Sequence, residues 1–404
     1  GLFPSFSAGW RISEEEFMKD IDWLSNLKLR ASWGKLGNNS IGNYEWQALY
    51  GSGYNYAFNS NKSNGLAMTT FSNYALEWEE TAITNIGLDF GVLNNRLNGT
   101  IEVYDKKTDG ILYRPTLPES LNQFTSPLQN LAGVNNKGLE ITLGWNDRVG
   151  DISYSVSGNF TYNKNKVTKY KGELVREWRT DANGKKVWYQ NVGTVANGSS
   201  NLIVEGHEMN EYYMMNPYKG NGSYFNSDGT VNINGGPKDG MIRTEADMKW
   251  LQAMFDAGYK FYPNQAIGKD KIWYGDMIYA DYNGDGIYGN DDDRDFQGVS
   301  WRPKYYFGLQ ASMTWKGFDL SMNWAGAAGF KIDYYKQTQN SVSVTHGYGL
   351  GYDIAYDHYF FDPENPNDPR TNIYSETPRL VGYQNSGQAS ATSSWHLKNG
   401  NYIK

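Results

Sequence analysis

The feature that most constrains the fold of this chain is a strict alternation of apolar and polar residues in paired runs. In residues 82–92 the even positions, from Ala82 to Val92, carry mainly apolar side chains, and Asn, Asp or Gly stands at most odd positions. After a short turn at 94–95 the alternation resumes over 97–103. A period of two places successive side chains on opposite sides of an extended strand. The pattern therefore predicts a β-hairpin with one apolar and one polar face.

Three more pairs of runs show the same pattern. They are 139–145 with 152–162, 305–315 with 318–324, and 8–12 with 27–33. The tight Lys316-Gly317 turn joins the second of these pairs, and an acidic, helix-prone segment, 13–25, joins the third. Each run has about 9–11 residues, which is the length of a tilted strand that crosses a bilayer.

The connections between the runs are strongly unequal. Short turns join the partners within most hairpins, whereas long stretches join one hairpin to the next: 37–80, 106–137, 163–303 and the residues after 326. Tryptophans mark the ends of several apolar faces, at Trp10, Trp33, Trp145, Trp315 and Trp324. Long loops on one side and an aromatic girdle are typical of outer-membrane barrels. A soluble β-sandwich also alternates, but strand length, aromatics and loop asymmetry together favour the membrane barrel.

Composition and motifs exclude several other classes of protein. The net charge of −7 argues against a nucleic-acid partner, and the absence of cysteine excludes disulfides and thiolate metal sites. No run of about 18 apolar residues could form a transmembrane helix. No catalytic triad, phosphate-binding glycine loop or carboxylate pair at an acid–base spacing occurs, so we predict no enzyme activity. Glycosidase carboxylates can lie far apart in sequence, so spacing alone does not decide that class.

The long stretch 163–303 is predicted to carry function or a structure of its own. It contains one helix, which Thr244 caps with Asp247 three residues later and which ends before Gly258. It is also rich in Tyr and Trp, which in exposed loops stack on sugar rings or anchor peptides, or else pack the loop against itself.

Within that stretch, DYNGDGIYGNDDDR (281–294) has the spacing of a calcium-binding loop. The predicted metal ligands are Asp281, Asn283, Asp285, the Ile287 carbonyl and Asp292, at positions 1, 3, 5, 7 and 12. Two long flanking helices are missing from the pattern, so we expect a structural divalent cation, with calcium favoured, rather than a calcium sensor. The alternative is a metal-free run of turns in which Asn and Asp side chains cap their own backbone.

Several long motifs resemble the SusC/RagA-type TonB-dependent transporters of Bacteroidota. They are FPSFSAGWRISEEEF with LKLRASWGKLGNNSIG, WEETAITNIGLDFGVLNNRLNGTIEVYDKKTDGIL, NNKGLEITLGW, GDMIYADYNGDGIYGNDDDRDFQG and RPKYYFGLQASMTWKGFDLSMNWAGAAG. They cover most of residues 1–330 in the order found in the family, and 393–404 resembles the start of the family's closing strands.

The resemblance implies an all-β, transmembrane antiparallel β-barrel of about 22 strands, with roughly half of them in residues 1–404. We expect the long loop at about 163–303 to be extracellular, and the plug domain and last strands to lie outside this chain. The implied function is TonB-dependent uptake of oligosaccharides or peptides across the outer membrane. The implied partners are a SusD-type surface lipoprotein, TonB and outer-membrane lipid.

Two other functions fit parts of the pattern. A soluble or surface-attached β-rich glycan-binding protein would use the same aromatics for stacking, and a passive porin would need neither a plug nor energy coupling. Dependence on detergent separates the first of these from the importer.

Overall fold

The computed structural model describes residues 2–114, 125–170, 174–191, 201–334, 352–381, 388 and 391–404. The strands are β1 Ser5–Arg11, β2 Leu24–Asn38, β3 Leu49–Ser52, β4 Tyr56–Phe58, β5 Asn61–Ser63, β6 Leu66–Thr70, β7 Glu79–Val92, β8 Leu97–Tyr113, β9 Gln129–Val149, β10 Ile152–Lys169, β11 Val175–Thr180, β12 Lys186–Asn191, β13 Asn201–Leu202, β14 Glu211–Met215, β15 Lys260–Phe261, β16 Ile287–Tyr288, β17 Arg294–Ser300, β18 Tyr305–Trp315, β19 Phe318–Ala328, β20 Lys331–Asp333, β21 Leu397–Asn399 and β22 Tyr402–Ile403. The α-helices are α1 Glu245–Asp256 and α2 Tyr352–Tyr356. No helix in these ranges is long and apolar enough to span a membrane.

Nine strands form one large antiparallel sheet in the order β1-β2-β7-β8-β9-β10-β18-β19-β22. The four predicted hairpins are confirmed as β1–β2, β7–β8, β9–β10 and β18–β19. The turn between β18 and β19 has φ of 46° at Lys316 and 87° at Gly317. Left-handed backbone at both turn residues is what a two-residue hairpin needs to match the twist of its strands.

The four longest connections leave the same end of this sheet, whereas the β1–β2 connection, residues 12–23, lies at the other end. At the other end, β7 joins β8, β9 joins β10 and β18 joins β19 through turns of two to four residues. The connections β2–β7, β10–β18 and β19–β22 at the first end are far longer and carry their own strands. The predicted asymmetry between the two ends is therefore confirmed.

Three details of the sequence prediction are wrong. The predicted length holds for β18 and β19, with 11 residues each, but the runs in β2 and β7 to β10 are parts of longer strands, up to 21 residues in β9, because polar residues prolong the ladder beyond the apolar stretch. The loop predicted at 106–137 shrinks to 114–128 for the same reason. The helix-prone segment 13–25 forms only two single 3₁₀ turns, Ile12–Glu14 and Glu16–Met18, before β2 begins.

One face of the sheet is apolar and exposed. Ile86 on β7 and Leu320, Met322 and Trp324 on β19 all lie on this face, each with 40–50% of its surface accessible. A soluble protein rarely leaves so continuous an apolar surface uncovered. In a membrane barrel the same face contacts the lipid chains.

The opposite face carries a network of charged groups. Arg30 on β2 contacts Asp89 on β7 (Nε to Oδ2, 3.2 Å) and Glu102 on β8 (Nη2 to Oε2, 2.5 Å). Asn85 donates a further hydrogen bond to Glu102. Gly87 lies opposite Arg30 in the register, and a Cβ there would stand 2.5 Å from the Arg30 Cζ atom. A glycine at this position therefore makes room for the guanidinium group on the polar face.

A second packed body is built from the long β10–β18 connection and residues 352–381. Its core contains Trp250, Leu251 and Met254 of α1, together with Ile278 and Tyr359. The predicted helix is confirmed: Thr244 and Asp247 form a reciprocal capping box, and Gly258 follows the helix with φ of 96°. We call this body the loop domain.

The two faces of the sheet should respond differently to an added charge. Met322→Arg places a cation on the apolar face near the middle of β19, and we expect it to lower the free energy of unfolding in lipid vesicles by about 2–4 kcal/mol. The neighbouring change, Asn323→Arg, lies on the polar face and should cost less than about 1 kcal/mol. Urea unfolding followed by the shift of the folded band on gels measures both, and equal losses would contradict the assignment of the faces.

Candidate functional site

The acidic loop, residues 281–293, lies within the loop domain. It contains β16, which pairs in parallel with β15, and a 3₁₀ turn at Asp291–Asp293 that leads directly into β17. The loop is therefore anchored at two places, and its acidic side chains project from a turn whose backbone is fixed.

Asp281 and its neighbours order the first half of the loop through side-chain to backbone hydrogen bonds. The Asp281 Oδ1 atom accepts from the backbone N–H of Gly284 (2.7 Å), and Oδ2 accepts from that of Gly286 (2.9 Å). The Asp285 N–H donates to both Asp281 Oδ1 (3.2 Å) and Asn283 Oδ1 (3.1 Å). These are the turns expected of Asn and Asp side chains that cap their own backbone.

The remaining predicted ligands continue the same chain of contacts. The Ile287 N–H donates to Asp285 Oδ1 (2.7 Å), and Asn283 Nδ2 donates to Asp285 Oδ2 (3.3 Å). The Asp292 N–H donates to Asn290 Oδ1 (2.8 Å). Among the described residues no group of three or more His, Cys, Asp or Glu side chains is arranged to hold a metal ion. The five-residue metal site thus stays a prediction, although the loop brings Asp281, Asn283 and Asp285 into contact.

Three carboxyl groups of the acidic loop have pKa values above their ordinary range. Burial raises the pKa of Asp281, although the backbone N–H groups that it accepts partly offset this, and the charge of Asp285 raises it further. Burial, followed by Asp285 and Asp291, raises the pKa of Asp292. Burial also raises the pKa of Asp293 to about 7, against three backbone N–H donors. A nearby cation would stabilise the charged form of each of these groups.

The sequence analysis missed the structure that covers the loop. The β11–β12 hairpin lies against it: Trp178 Nε1 donates to the Asn283 carbonyl (3.1 Å), and the Arg176 guanidinium lies 4.4 Å from the Tyr282 ring centre. Arg176 also contacts Asp295 (2.9 Å). A two-stranded hairpin is marginal by itself, so the loop and the hairpin order each other. The available signal was the DANG turn sequence at 181–184 between Trp178 on one side and Trp188 with Tyr189 on the other.

Comparison with protein families shows which family the chain matches. The family described as "TonB dependent receptor-like, beta-barrel" matches residues 1–229, which is more than half of the chain. TonB-dependent receptor P39 of Formosa agariphila is 34% identical over 242 residues, which are 56% of this chain and 23% of that protein. TonB-dependent receptor SusC of Bacteroides thetaiotaomicron is 36% identical over 209 residues, which are 49% of this chain and 21% of that protein.

Solved structures show the same architecture. The RagAB peptide transporter matches 100% of this chain and 36% of its own, with a TM-score of 0.65 and 20% identity. A RagAB peptide importer in a closed state matches with the same TM-score and 21% identity. At this identity the likeness shows the fold alone. The chain spans between one fifth and two fifths of the proteins that it matches.

Asp281 should be the residue on which the order of the loop depends most. Asp281→Ala removes the side-chain acceptor of the Gly284 and Gly286 N–H groups and one of the two acceptors of the Asp285 N–H group, which costs about 1–3 kcal/mol locally. We expect faster proteolysis within 276–298 and an unchanged unfolding transition of the sheet. Asp291→Ala is the matched control, because that exposed carboxylate contacts only Arg294. Equal cleavage rates for the two variants would contradict this role of Asp281.

Proposed function

The chain belongs to the TonB-dependent receptor-like β-barrel family, and from that premise we propose that it forms part of an importer energised through TonB. Members of this family are outer-membrane β-barrel proteins, and the chain is accordingly a multi-pass protein of the cell outer membrane. The observation that carries the proposal is the nine-stranded sheet with an exposed apolar face, a polar face and its four longest connections at one end.

Each part of this architecture has a transport role. The apolar face contacts lipid and the polar face lines the interior, because a sheet in a membrane must satisfy its backbone hydrogen bonds and separate the two environments. The loop domain stands at the end with the long connections, which is the extracellular end in outer-membrane barrels. Import then needs binding and conformational change but no catalytic group from this chain.

A SusD-type surface lipoprotein is the proposed partner at that end. The β2–β7 connection presents Tyr50, Tyr56, Phe58 and Tyr74, each with more than 60% of its surface exposed. Exposed aromatic residues at this density are typical of protein interfaces. TonB is the proposed energy-coupling partner.

The proposed substrates are oligosaccharides or peptides. The RagAB structure is described as that of a peptide transporter, and the SusC relative belongs to the same family. A polar interior with Arg30, Asn159 and Gln310 suits either class, since both present many hydrogen-bonding groups.

The proposed importer function predicts that uptake depends on energy supplied through TonB. Cells that express the full-length protein should take up fluorescent hexasaccharides or hexapeptides, and a protonophore or deletion of TonB should abolish uptake. We expect the protein in the detergent-solubilised outer membrane as a heat-modifiable band that co-purifies with a lipoprotein.

The alternatives give different results in the same experiment. Uptake that a protonophore does not change would indicate a passive porin. Recovery as a monomer without detergent would indicate a β-rich glycan-binding protein. A Tyr50→Asp, Tyr74→Asp double variant should lose the lipoprotein but remain in the membrane, whereas Asn323→Asp, on the polar face of the sheet, serves as a control outside the loops.

We also propose that the acidic loop holds a structural divalent cation, with calcium favoured by the number of oxygen ligands. The raised pKa values of Asp281 and Asp292 support this, because a bound cation would stabilise the charged carboxylates that burial and the neighbouring acids disfavour. The small glycines at 284 and 286 allow the sharp turn that such a loop needs, with φ of 72° and 81°.

Calcium should therefore protect the acidic loop from proteases. Adding calcium to chelator-treated protein should slow cleavage within 276–298 in the natural protein but not in Asp285→Asn, which keeps a side-chain oxygen and loses the charge. Equal cleavage with calcium and with chelator would show that hydrogen bonds alone hold the loop.

A further inference from the structure

The outward face of β10 changes from apolar to cationic at one position. Tyr162 shares a register row with Ile86 of the apolar face, and the next two outward residues on β10 are Lys164 and Lys166. The ten residue steps from Ile152 to Tyr162, at about 3.4 Å each and a tilt of about 45°, cover about 24 Å of membrane thickness. Outer-membrane barrels have an apolar band about 25 Å tall, so the lysines begin where the band ends.

Aromatic rings mark the same boundary. Tyr305, the first residue of β18, stacks on Tyr162 with 5.2 Å between ring centres and on Phe160 with 6.1 Å. Tyrosine is enriched where hydrocarbon meets the lipid headgroups. The boundary lies at the end of the sheet with the longest connections, because β10 leads directly into the β10–β18 connection. The lysines therefore lie at the headgroup depth of the outer leaflet.

Cations are crowded at this level of the outward face. Lys164 lies directly opposite Lys137 of β9, and like charges in such positions destabilise a sheet. Lys137 is partly neutralised by Asp105 of β8 (Nζ to Oδ2, 3.0 Å). Lys164 and Lys166 are both exposed, and their ammonium groups have no partner in the described part of the chain. Two unpaired cations therefore stand beside a partly paired one.

The loop domain does not cover these lysines. Asn165, which lies between them in sequence, faces the interior and accepts a hydrogen bond from the Met209 N–H of the loop domain (2.9 Å). The Val167 N–H, next along β10, donates to the His207 carbonyl of the same domain (2.8 Å). The loop domain thus packs against the interior side of β10 at this level, and the outward side is left to the membrane.

We propose that Lys164 and Lys166, with Lys137 beside them, bind a phosphate group of lipopolysaccharide, the phosphorylated lipid of the outer leaflet. Alternate residues of a strand are about 7 Å apart and directly opposite residues about 5 Å, so three flexible ammonium groups can converge on one phosphate. Each ammonium offers three donors, and the phosphate offsets the repulsion between Lys164 and Lys137. The acyl chains of the same lipid then pack against Phe160 and Tyr162.

This inference concerns the lipid around the barrel and is independent of the solute that the importer carries. It rests on the outer-membrane location of the sheet. A lipid held at this position would fix the depth of β9 and β10 in the membrane, directly below the point where the loop domain begins.

Lipid binding by the purified full-length protein in detergent tests the site. The probes are diphosphorylated lipid A, the same lipid with its phosphates removed, and inorganic phosphate, with native mass spectrometry as the readout. We expect the natural protein to bind the phosphorylated lipid. Its affinity should fall about fivefold in Lys164→Gln and about 25-fold when Lys166→Gln is added. Replacing both lysines by arginine should retain binding, because the charge is kept.

Lys106→Gln is the matched control. Lys106 is an exposed lysine at the same level of the sheet, but it shares a register row with Asn136 and Asn165 on the polar face. The affinity for lipid A should therefore stay unchanged in this variant. A heat-modifiable band shows that each variant is folded.

Three results would overturn the assignment. Equal binding of the phosphate-free lipid would show that the apolar band alone holds the lipid. Unchanged affinity in the double glutamine variant, or a loss in Lys106→Gln alone, would place the contact elsewhere. Inorganic phosphate that binds as tightly as lipid A would make free phosphate the ligand in place of the lipid.

Discussion

The backbone hydrogen bonds of the large sheet are the constraint on which the rest of the structure depends. In a hydrocarbon layer each peptide group needs a hydrogen-bond partner within the protein. A continuous antiparallel ladder supplies these partners to the peptide groups of every strand that has a neighbour on both sides. The ladder connects every neighbouring pair of strands from β1–β2 to β18–β19, and its irregularities lie near strand ends, as in β2, β8 and β10. Once it is fixed, side chains must alternate between lipid and interior, and irregular segments must collect at the strand ends.

The polar face shows how the interior tolerates charge. On β2, β7 and β8 the charges occur as cross-strand sets, with Arg30 between Asp89 and Glu102. On β10, β18 and β19 the same face carries mainly hydroxyl and amide groups, with Asp319 near one end of β19, and Ser155 contacts Ser312 at 2.8 Å. The interior wall therefore has a charged part, whose side chains form ion pairs with one another, and a mainly neutral part. Amides of the neutral part, such as Gln310, can form hydrogen bonds with water, protein or substrate.

Sequence patterns over short separations predicted those elements whose structure is determined by interactions between nearby residues. Period-two alternation located the hairpins, the Lys316-Gly317 dipeptide located a turn, and the Thr244–Asp247 capping box located α1. The spacing of the acidic loop likewise placed Asp281 next to Asp285. Contacts over long sequence separations were beyond such rules. The Arg379–Asp276 pair joins residues 103 positions apart, and the hairpin that covers the acidic loop is held by a contact between Trp178 and the Asn283 carbonyl, 105 positions apart.

The tyrosines of the loop domain show how structural and binding roles can be separated once the contacts are known. The sequence left open whether the dense aromatics bind ligands or pack the loop. Most of the buried ones do the latter, because their hydroxyls donate to backbone carbonyls: Tyr218 to Gly235 (2.8 Å) and Tyr359 to Arg243 (2.5 Å). Such bonds tie irregular segments together where no ladder exists. Tyr213 is the exception, because its hydroxyl is fully buried and has no hydrogen-bond partner among the described residues. Its desolvation is therefore left uncompensated, and its ring contributes to the domain by packing against Phe296.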